Sequence, residues 1–99
     1  MTIEKRKFGN SELLVKPIGK IDVNLAPELE KEVNAELDGI SYLTINLEEV
    51  NYISSIGLRA LLSFQKKMAE KGQMKITNVK PEVLEIFKMT GFDKILDII

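Results

Sequence analysis

Residues 42–62 read YLTINLEEVNYISSIGLRALL, and the spacing of the apolar residues changes within this stretch. Over residues 42–47 apolar and polar residues alternate, a period of two that predicts a β-strand. Residues 48–54 are expected to form a connection to a helix over residues 56–71. The helix residues expected to face the core recur three or four positions apart: Leu58, Leu61, Leu62, Gln65 and Met68. Gly72 is expected to end the helix, because glycine is favoured just after a helix C-terminus.

Upstream of this stretch, two extended segments flank a Gly9-Asn10 turn signal and are predicted to pair as a hairpin. They cover residues 2–8 and 12–18. Residues 19–25 are then expected to form a loop that briefly continues the second strand.

A first helix is predicted to begin near Pro27, since proline suits the first turn of a helix, and to end at Asp38-Gly39. Its buried face is predicted from residues at four-residue spacing: Leu29, Val33 and Leu37. A strand over residues 74–77 and a helix from Pro81 to Gly91 follow.

The last segment, residues 92–99, is predicted to form a helical turn and a final strand. This order of elements predicts an α/β fold with a mixed sheet of four to five strands. The number of helices favours packing mainly on one face of the sheet, with packing on both faces as the alternative that periodicity leaves open.

The composition of the chain excludes several classes of function. The 99 residues suit one domain over residues 1–99, with 44% hydrophobic residues and a net charge of -1. The chain has no cysteine and no histidine, which excludes thiol nucleophiles, Cys/His metal sites and imidazole catalysis. Only carboxylate or hydroxyl chemistry remains, which does not favour an enzyme, and we expect no catalytic residue, no metal and no cofactor. The net charge gives no reason to expect nucleic-acid binding.

No apolar run approaches the roughly 20 residues needed to cross a bilayer, and the N-terminus lacks the apolar stretch of a signal peptide. A cytoplasmic protein without membrane association is therefore expected.

The serine pair Ser54-Ser55 lies directly before the predicted second helix, with Gly57 in the first turn. Ser55 is the expected N-cap, since a serine hydroxyl there accepts a hydrogen bond from a first-turn amide. A glycine inside a helix costs about 1 kcal/mol relative to alanine. Gly57 therefore indicates a close approach by a partner backbone or by a neighbouring element of the chain.

Three blocks of sequence resemble the STAS domain of bacterial anti-sigma factor antagonists. They are GKIDVNLAPELE at 19–30, INLEEVNYISSIGLRALL at 45–62 and ITNVKPEVLEIFKMTGFDKIL at 76–96. The blocks occur in the family's order, and the resemblance extends from about Leu13 to Leu96. It implies a small mixed sheet with helices stacked on one side.

The resemblance also implies an activity. The unphosphorylated protein would bind an anti-sigma factor with a kinase-type ATPase fold and so release a sigma factor. The anti-sigma factor would then phosphorylate one serine of the antagonist, the complex would dissociate, and a phosphatase would reset the protein. This is the activity of a monomeric binding protein and not of an enzyme.

The family's common motif is Asp-Ser-Ser/Thr-Gly-Leu, with the modified serine directly after the aspartate. On this chain Ser54 takes the position of the aspartate, Ser55 that of the acceptor and Ile56 that of the second hydroxyl residue. The resemblance therefore implies phosphorylation of Ser55. Ser54 is the alternative acceptor, because it is also a serine.

The resemblance implies a partner-binding surface that joins this motif to the Gly-x-x-Asp loop. Its residues are Asp22, Val23, Asn24, Ser54, Ser55, Ile56, Gly57, Leu58 and Arg59. Asp22 has a second interpretation, as a turn residue that bonds to its own backbone. Arg59 is either a solvated charge or a contact to an acidic partner or to the phosphate.

Two other functions compete with this one. The first is a STAS scaffold, or a subunit of a larger regulatory or transport assembly, that is never phosphorylated. The second is a small hydrolase that uses the carboxylates of Asp22, Glu48 and Glu49, although their spacing fits no catalytic pair.

Overall fold

The computed structural model describes residues 3–99, so Thr2 of the first predicted strand lies outside the described residues. Within this range the chain forms six strands, three α-helices and a short 3-10 helix. In chain order these are β1 (Ile3–Phe8), β2 (Glu12–Pro17), β3 (Gly19–Ile21), α1 (Leu25–Asn34), β4 (Tyr42–Asn46), β5 (Val50–Ile53), α2 (Ser55–Ala69), β6 (Gln73–Thr77), α3 (Pro81–Thr90) and the 3-10 helix (Phe92–Lys94).

Four of the strands form the main sheet, in the order β1-β2-β4-β6. β1 and β2 pair antiparallel, which confirms the hairpin. Gly9 in the turn has a φ of 62°, a left-handed conformation that glycine adopts without steric cost. β2, β4 and β6 pair in parallel, so the sheet is mixed as predicted. β3 and β5 form a separate parallel pair.

One face of the main sheet is buried and the other is open to solvent. The buried face carries Leu13, Val15, Leu43, Ile45, Met74 and Ile76, which belong to the same core cluster as the buried helix residues. The side chains that alternate with them, such as Lys16, Thr44 and Lys75, are half-buried or exposed. The prediction that the helices pack mainly on one face is therefore confirmed.

α1 is shorter than its apolar spacing predicts. The helix ends at Asn34, whereas the sequence predicted a helix up to Asp38-Gly39. Leu37 is nevertheless buried, with 6% of its surface exposed. The chain turns after the helix, with the Glu36 N–H donating to the Val33 carbonyl, and this turn carries Leu37 into the core.

The predicted connection over residues 48–54 contains the strand β5, so this part of the prediction is wrong. β5 has only four residues, of which the first and last are buried and the middle two, Asn51 and Tyr52, are exposed. This burial pattern lacks the alternation that identifies a strand in a sequence.

α2 begins at Ser55 and ends at Ala69, against a prediction of 56–71. Its C-cap is Glu70 in a right-handed conformation, so Gly72 does not end the helix. Gly72 instead lies directly against the Ser41 backbone, which leaves no space for a Cβ. The predicted core residues Leu62 and Gln65 are only half-buried, whereas Phe64 is fully buried.

The C-terminal part of the chain agrees with the prediction except at its end. α3 begins at Pro81 and is followed by Gly91 in a left-handed conformation, with a φ of 79°. After the 3-10 helix, the predicted final strand is reduced to a single parallel bridge between Ile98 and Ile76.

Candidate functional site

The two serines at the start of α2 have different surroundings, and Ser54 is the half-buried one, with a hydroxyl that forms two hydrogen bonds. Ser54 is the N-cap of α2, and its Oγ accepts a hydrogen bond from the Gly57 N–H at 3.2 Å. The same hydroxyl donates to the Ile21 carbonyl at 3.1 Å. The prediction of Ser55 as the cap was therefore wrong by one residue, because the β3 carbonyl that engages Ser54 cannot be seen in the sequence.

Ser55 is the first residue of α2 and is exposed. Its hydroxyl makes no side-chain hydrogen bond to any residue within 3–99. Ile56 is 37% exposed, and Arg59 is also exposed. These three side chains are accessible to another protein.

Gly57 and Leu58 are buried and do not line this surface, which corrects their place in the predicted binding set. Leu58 is only 5% exposed because it faces the core. A Cβ on Gly57 would lie 2.6 Å from the Ile21 carbonyl oxygen and 2.7 Å from Ile53 Cγ1. Gly57 therefore allows α2 to begin directly against the end of β3. Of the two reasons that the sequence offered for this glycine, the structure shows the close approach by a neighbouring element of the chain.

Asp22 lies just after β3, and its carboxylate is bound to the start of α1. Its Oδ1 accepts hydrogen bonds from the N–H groups of Leu25 at 3.1 Å and Asn24 at 3.0 Å. These two backbone hydrogen bonds, led by that of Leu25, hold the pKa of the Asp22 carboxyl below its ordinary value. This is the turn role that the sequence offered as one interpretation of Asp22.

The Ile21 carbonyl brings the two predicted segments together. It accepts hydrogen bonds from both the backbone N–H of Ser54, at 2.9 Å, and the Ser54 hydroxyl. Residues 22–24 therefore lie beside the start of α2. We call the exposed residues of these two segments the Ser55 surface: Val23, Asn24, Ser55, Ile56 and Arg59.

Tyr52 is an exposed aromatic residue close to this surface that sequence reasoning missed. It lies in β5 opposite Lys20 of β3, two residues before Ser54, and is 46% exposed. Because β5 was not predicted, nothing in the sequence placed this side chain next to the site.

The three carboxylates considered for a hydrolase do not face one another as a catalytic pair would, because they interact with Lys16 or with backbone amides. Glu48 and Glu49 lie 3.2 Å and 4.0 Å from Lys16 Nζ, and the hydrogen bond to Glu48 is the main cause of the raised pKa of Lys16. Asp22 is bound to the amides at the start of α1. Residues 3–99 contain no cluster of three side chains suited to hold a metal ion.

Among residues 3–99, no helix combines the length and the apolar composition that crossing a bilayer requires.

Comparison with known protein families gives a match over residues 2–99 to the family model described as "STAS domain". The chain belongs to the STAS-domain family. This confirms the family resemblance and accounts for the mixed sheet with helices on one face as the STAS fold.

Curated relatives of this STAS domain are bacterial. The chain is 34% identical to the Bordetella bronchiseptica protein BtrV over 76 residues, which cover 75% of this chain and 66% of BtrV. It is 29% identical to the anti-sigma-B factor antagonist of Bacillus subtilis over 93 residues, which cover 93% of this chain and 85% of that protein.

Among solved structures, the STAS domain is similar to the anti-sigma factor antagonist SpoIIAA. The unphosphorylated form superimposes with a TM-score of 0.84 at 14% identity and covers 98% of this chain and 87% of that one. The phosphorylated form of the Bacillus protein gives 0.75 at 13% identity and covers 98% and 90%. At these identities the likeness shows the fold.

In this STAS domain, Ser54 stands where the family motif has aspartate. Aspartate and serine are both good N-caps, so the capping of α2 is compatible with either residue. A carboxylate, however, could not donate the hydrogen bond that Ser54 gives to the Ile21 carbonyl. The serine therefore adds a link between α2 and β3.

Proposed function

We propose that this protein is an anti-sigma factor antagonist, a binding protein controlled by phosphorylation of Ser55. The unphosphorylated form binds an anti-sigma factor with a kinase-type ATPase fold and releases a sigma factor. The names of the Bacillus subtilis relative and of SpoIIAA support the first part of this proposal. The observation that carries the second part is the exposed, unengaged hydroxyl of Ser55 at the start of α2.

Ser55 is a better acceptor than Ser54 for a physical reason. A kinase must reach the hydroxyl oxygen, which attacks the γ-phosphorus of ATP while ADP leaves and the hydroxyl proton passes to a base of the kinase. The Ser54 hydroxyl is half-buried and bonded to both Gly57 N–H and Ile21 carbonyl. Phosphorylating it would remove the hydroxyl proton and so break the bond to the Ile21 carbonyl, whereas the Ser55 hydroxyl has no side-chain hydrogen bond to lose.

A phosphate on Ser55 would prevent binding without unfolding the domain. Phosphoserine carries about -1.5 to -2 charges, and a helix N-terminus stabilises an anion. The same dianion would lie on the Ser55 surface with Val23 and Ile56, which are exposed apolar side chains suited to contact a partner. Burying an unpaired charge in an interface costs several kcal/mol, and about 1.4 kcal/mol is a tenfold loss of affinity.

The remaining parts of the proposal follow from the family resemblance. The STAS domain acts in the cytoplasm as a monomer, and a phosphatase removes the phosphate from Ser55. The Asp22 carboxylate holds the neighbouring loop in place through the N–H groups of Asn24 and Leu25, so that Val23 and Asn24 contribute to the partner contact.

The test uses the anti-sigma ATPases of the source bacterium, purified individually and mixed with the full chain and ATP. Mass spectrometry is expected to find phosphate on Ser55 in the parent and none in Ser55→Ala. Affinity is compared for Ser55→Asp and its neutral isostere Ser55→Asn. We expect Ser55→Asp to lose about a hundredfold or more in affinity and Ser55→Asn to stay within about tenfold of the parent.

Three results would contradict the proposal in whole or in part. One is binding of Ser55→Asp as tight as that of the parent. Another is a tightly bound ATPase that never phosphorylates the chain, which would instead support an unphosphorylated STAS scaffold. Phosphate found on Ser54 would move the acceptor by one residue and overturn the assignment to Ser55.

A further inference from the structure

Arg59 is a free cation on the same face of α2 as Ser55. Its side chain is exposed, and its guanidinium forms no ion pair or side-chain hydrogen bond with any residue of the described chain. By contrast, Lys67 on the same helix donates a hydrogen bond to Asn34 at 2.8 Å. The guanidinium of Arg59 is therefore available for a new contact.

The helix geometry places this cation beside Ser55. Residues four positions apart lie one above the other on a helix, with their Cβ atoms about 5–6 Å apart. Arg59 now lines a shallow groove with Leu62, Ser63 and Lys66. Side chains in a helix lean toward its N-terminus, so the long, unpaired side chain of Arg59 can turn to reach a phosphate on Ser55. An anion four positions before a cation is the favourable order for such a pair.

We infer that Arg59 is an intramolecular binding residue for the phosphate on Ser55. This inference rests on the proposed function, because it needs a phosphate on that residue. A guanidinium can donate two parallel hydrogen bonds to phosphate oxygens, and bonds between charged groups are about twice as strong as neutral ones. Phosphorylation then has two effects on the Ser55 surface: it adds a dianion, and it withdraws Arg59 from contact with the partner.

Other charged groups near Ser55 act on the phosphate as well. Asp22 lies on the adjacent loop and opposes the dianion, but its carboxylate is directed to the amides of Leu25 and Asn24. Lys20 lies in β3 and is exposed. Neither residue is on α2, so a substitution of Arg59 isolates the contribution of the helical pair.

The test installs phosphoserine at position 55 of the full chain during translation and follows its protonation by phosphorus NMR. Phosphoserine ordinarily takes up its proton near about pH 6. A bound guanidinium favours the dianion, so the titration midpoint of the parent should be lower than that of Arg59→Gln. We expect a difference of about half a pH unit, which decreases at high salt.

Lys66→Gln is the matched control, because it removes the same charge from the same exposed side of the helix. Lys66 lies eleven residues after Ser55, about 16 Å along the axis and beyond the screening length at physiological salt. Its midpoint should equal that of the parent. Equal midpoints for the parent and Arg59→Gln, or an equal rise in Lys66→Gln, would overturn the inference.

The same samples separate this inference from the proposed function. Because no kinase is used, the titration reports only on the pairing of Arg59 with the phosphate. Binding of the phosphorylated parent to the anti-sigma ATPase is measured in parallel. Undiminished binding would contradict the proposed function, whatever the titration shows.

Discussion

At the start of α2, two adjacent serines differ in what their hydroxyls contribute to the folded state. The Ser54 hydroxyl joins α2 to β3 through its bonds to Gly57 N–H and the Ile21 carbonyl. We expect Ser54→Ala to lower the free energy of unfolding by about 1 kcal/mol or more, as the loss of an N-cap does. Ser55→Ala should change it by less than about 0.5 kcal/mol, because an exposed residue loses no contact.

Urea denaturation of the two variants beside the parent checks this prediction. The pair is well matched, since both substitutions remove one hydroxyl from neighbouring positions. A larger loss of stability in Ser55→Ala than in Ser54→Ala would show that Ser55 is the cap, and the choice of acceptor would then have to be reversed.

The sequence identified the residues at the start of α2, but it did not show which contacts each of them makes. The motif located Ser54, Ser55 and Gly57, because hydroxyls and glycines at a helix start have few physical roles. Which serine caps the helix depends on the Ile21 carbonyl, which is 33 residues away in sequence. Leu58 entered the predicted binding surface through the family resemblance, whereas its helical spacing had predicted the core position that the structure shows.

At the scale of elements, the start of α1 depends on a charge. The residue before α1, Asn24, makes no side-chain cap, and the carboxylate of Asp22 accepts the free amides instead. The pKa of Asp22 is lower in the folded than in the unfolded chain. This stabilisation is therefore complete above the unfolded pKa, near about pH 4, and is lost as the pH falls through the folded value.

Asp22→Asn keeps an acceptor oxygen at this position but removes the charge. We expect the variant to be less stable than the parent at about pH 7, and the difference between the two to shrink toward about pH 3. Urea midpoints measured at both pH values give the two differences. A gap of the same size at both pH values would show that the carboxylate charge does not stabilise the start of α1.

The elements that the sequence predicted well have a strong local signal. α3 is an example, because Pro81 and Gly91 mark its two ends. β5 was missed because its middle residues, Asn51 and Tyr52, face solvent and only its ends are buried. α1 was predicted too long because Leu37 has helical spacing, yet it reaches the core from a turn. In both cases, the exposure of the residues in β5 and the burial of Leu37 depend on contacts with parts of the chain that are distant in sequence.

At the scale of the whole molecule, the sheet and the helices share one hydrophobic cluster. It contains buried residues from both the strands and the helices, among them Ile45 of β4 and Phe64 of α2. No second apolar cluster separates the helices from the sheet within residues 3–99. We therefore expect the domain to unfold as one cooperative unit.

Phe64 tests this expectation, because it is fully buried on α2. Replacing a buried phenylalanine by alanine typically costs about 3–5 kcal/mol, a large share of the roughly 5–15 kcal/mol that stabilises a domain. With a urea dependence of about 1–3 kcal/mol per M, Phe64→Ala should lower the midpoint by at least about 1 M. Circular dichroism follows the helices, and tyrosine fluorescence follows Tyr42 of β4 and Tyr52 of β5.

Both signals should shift together in Phe64→Ala, since the helices and the strands depend on the same cluster. Phe8→Ala is the matched control, because Phe8 is 45% exposed near the end of β1 and its loss leaves no buried cavity. Its midpoint should stay close to that of the parent. If the fluorescence midpoint remained at the parent value while the dichroism midpoint fell, the sheet would be stable without the helices. The start of α2 could then unfold locally, and a phosphate on Ser55 could act by loosening α2 and not only by blocking the partner.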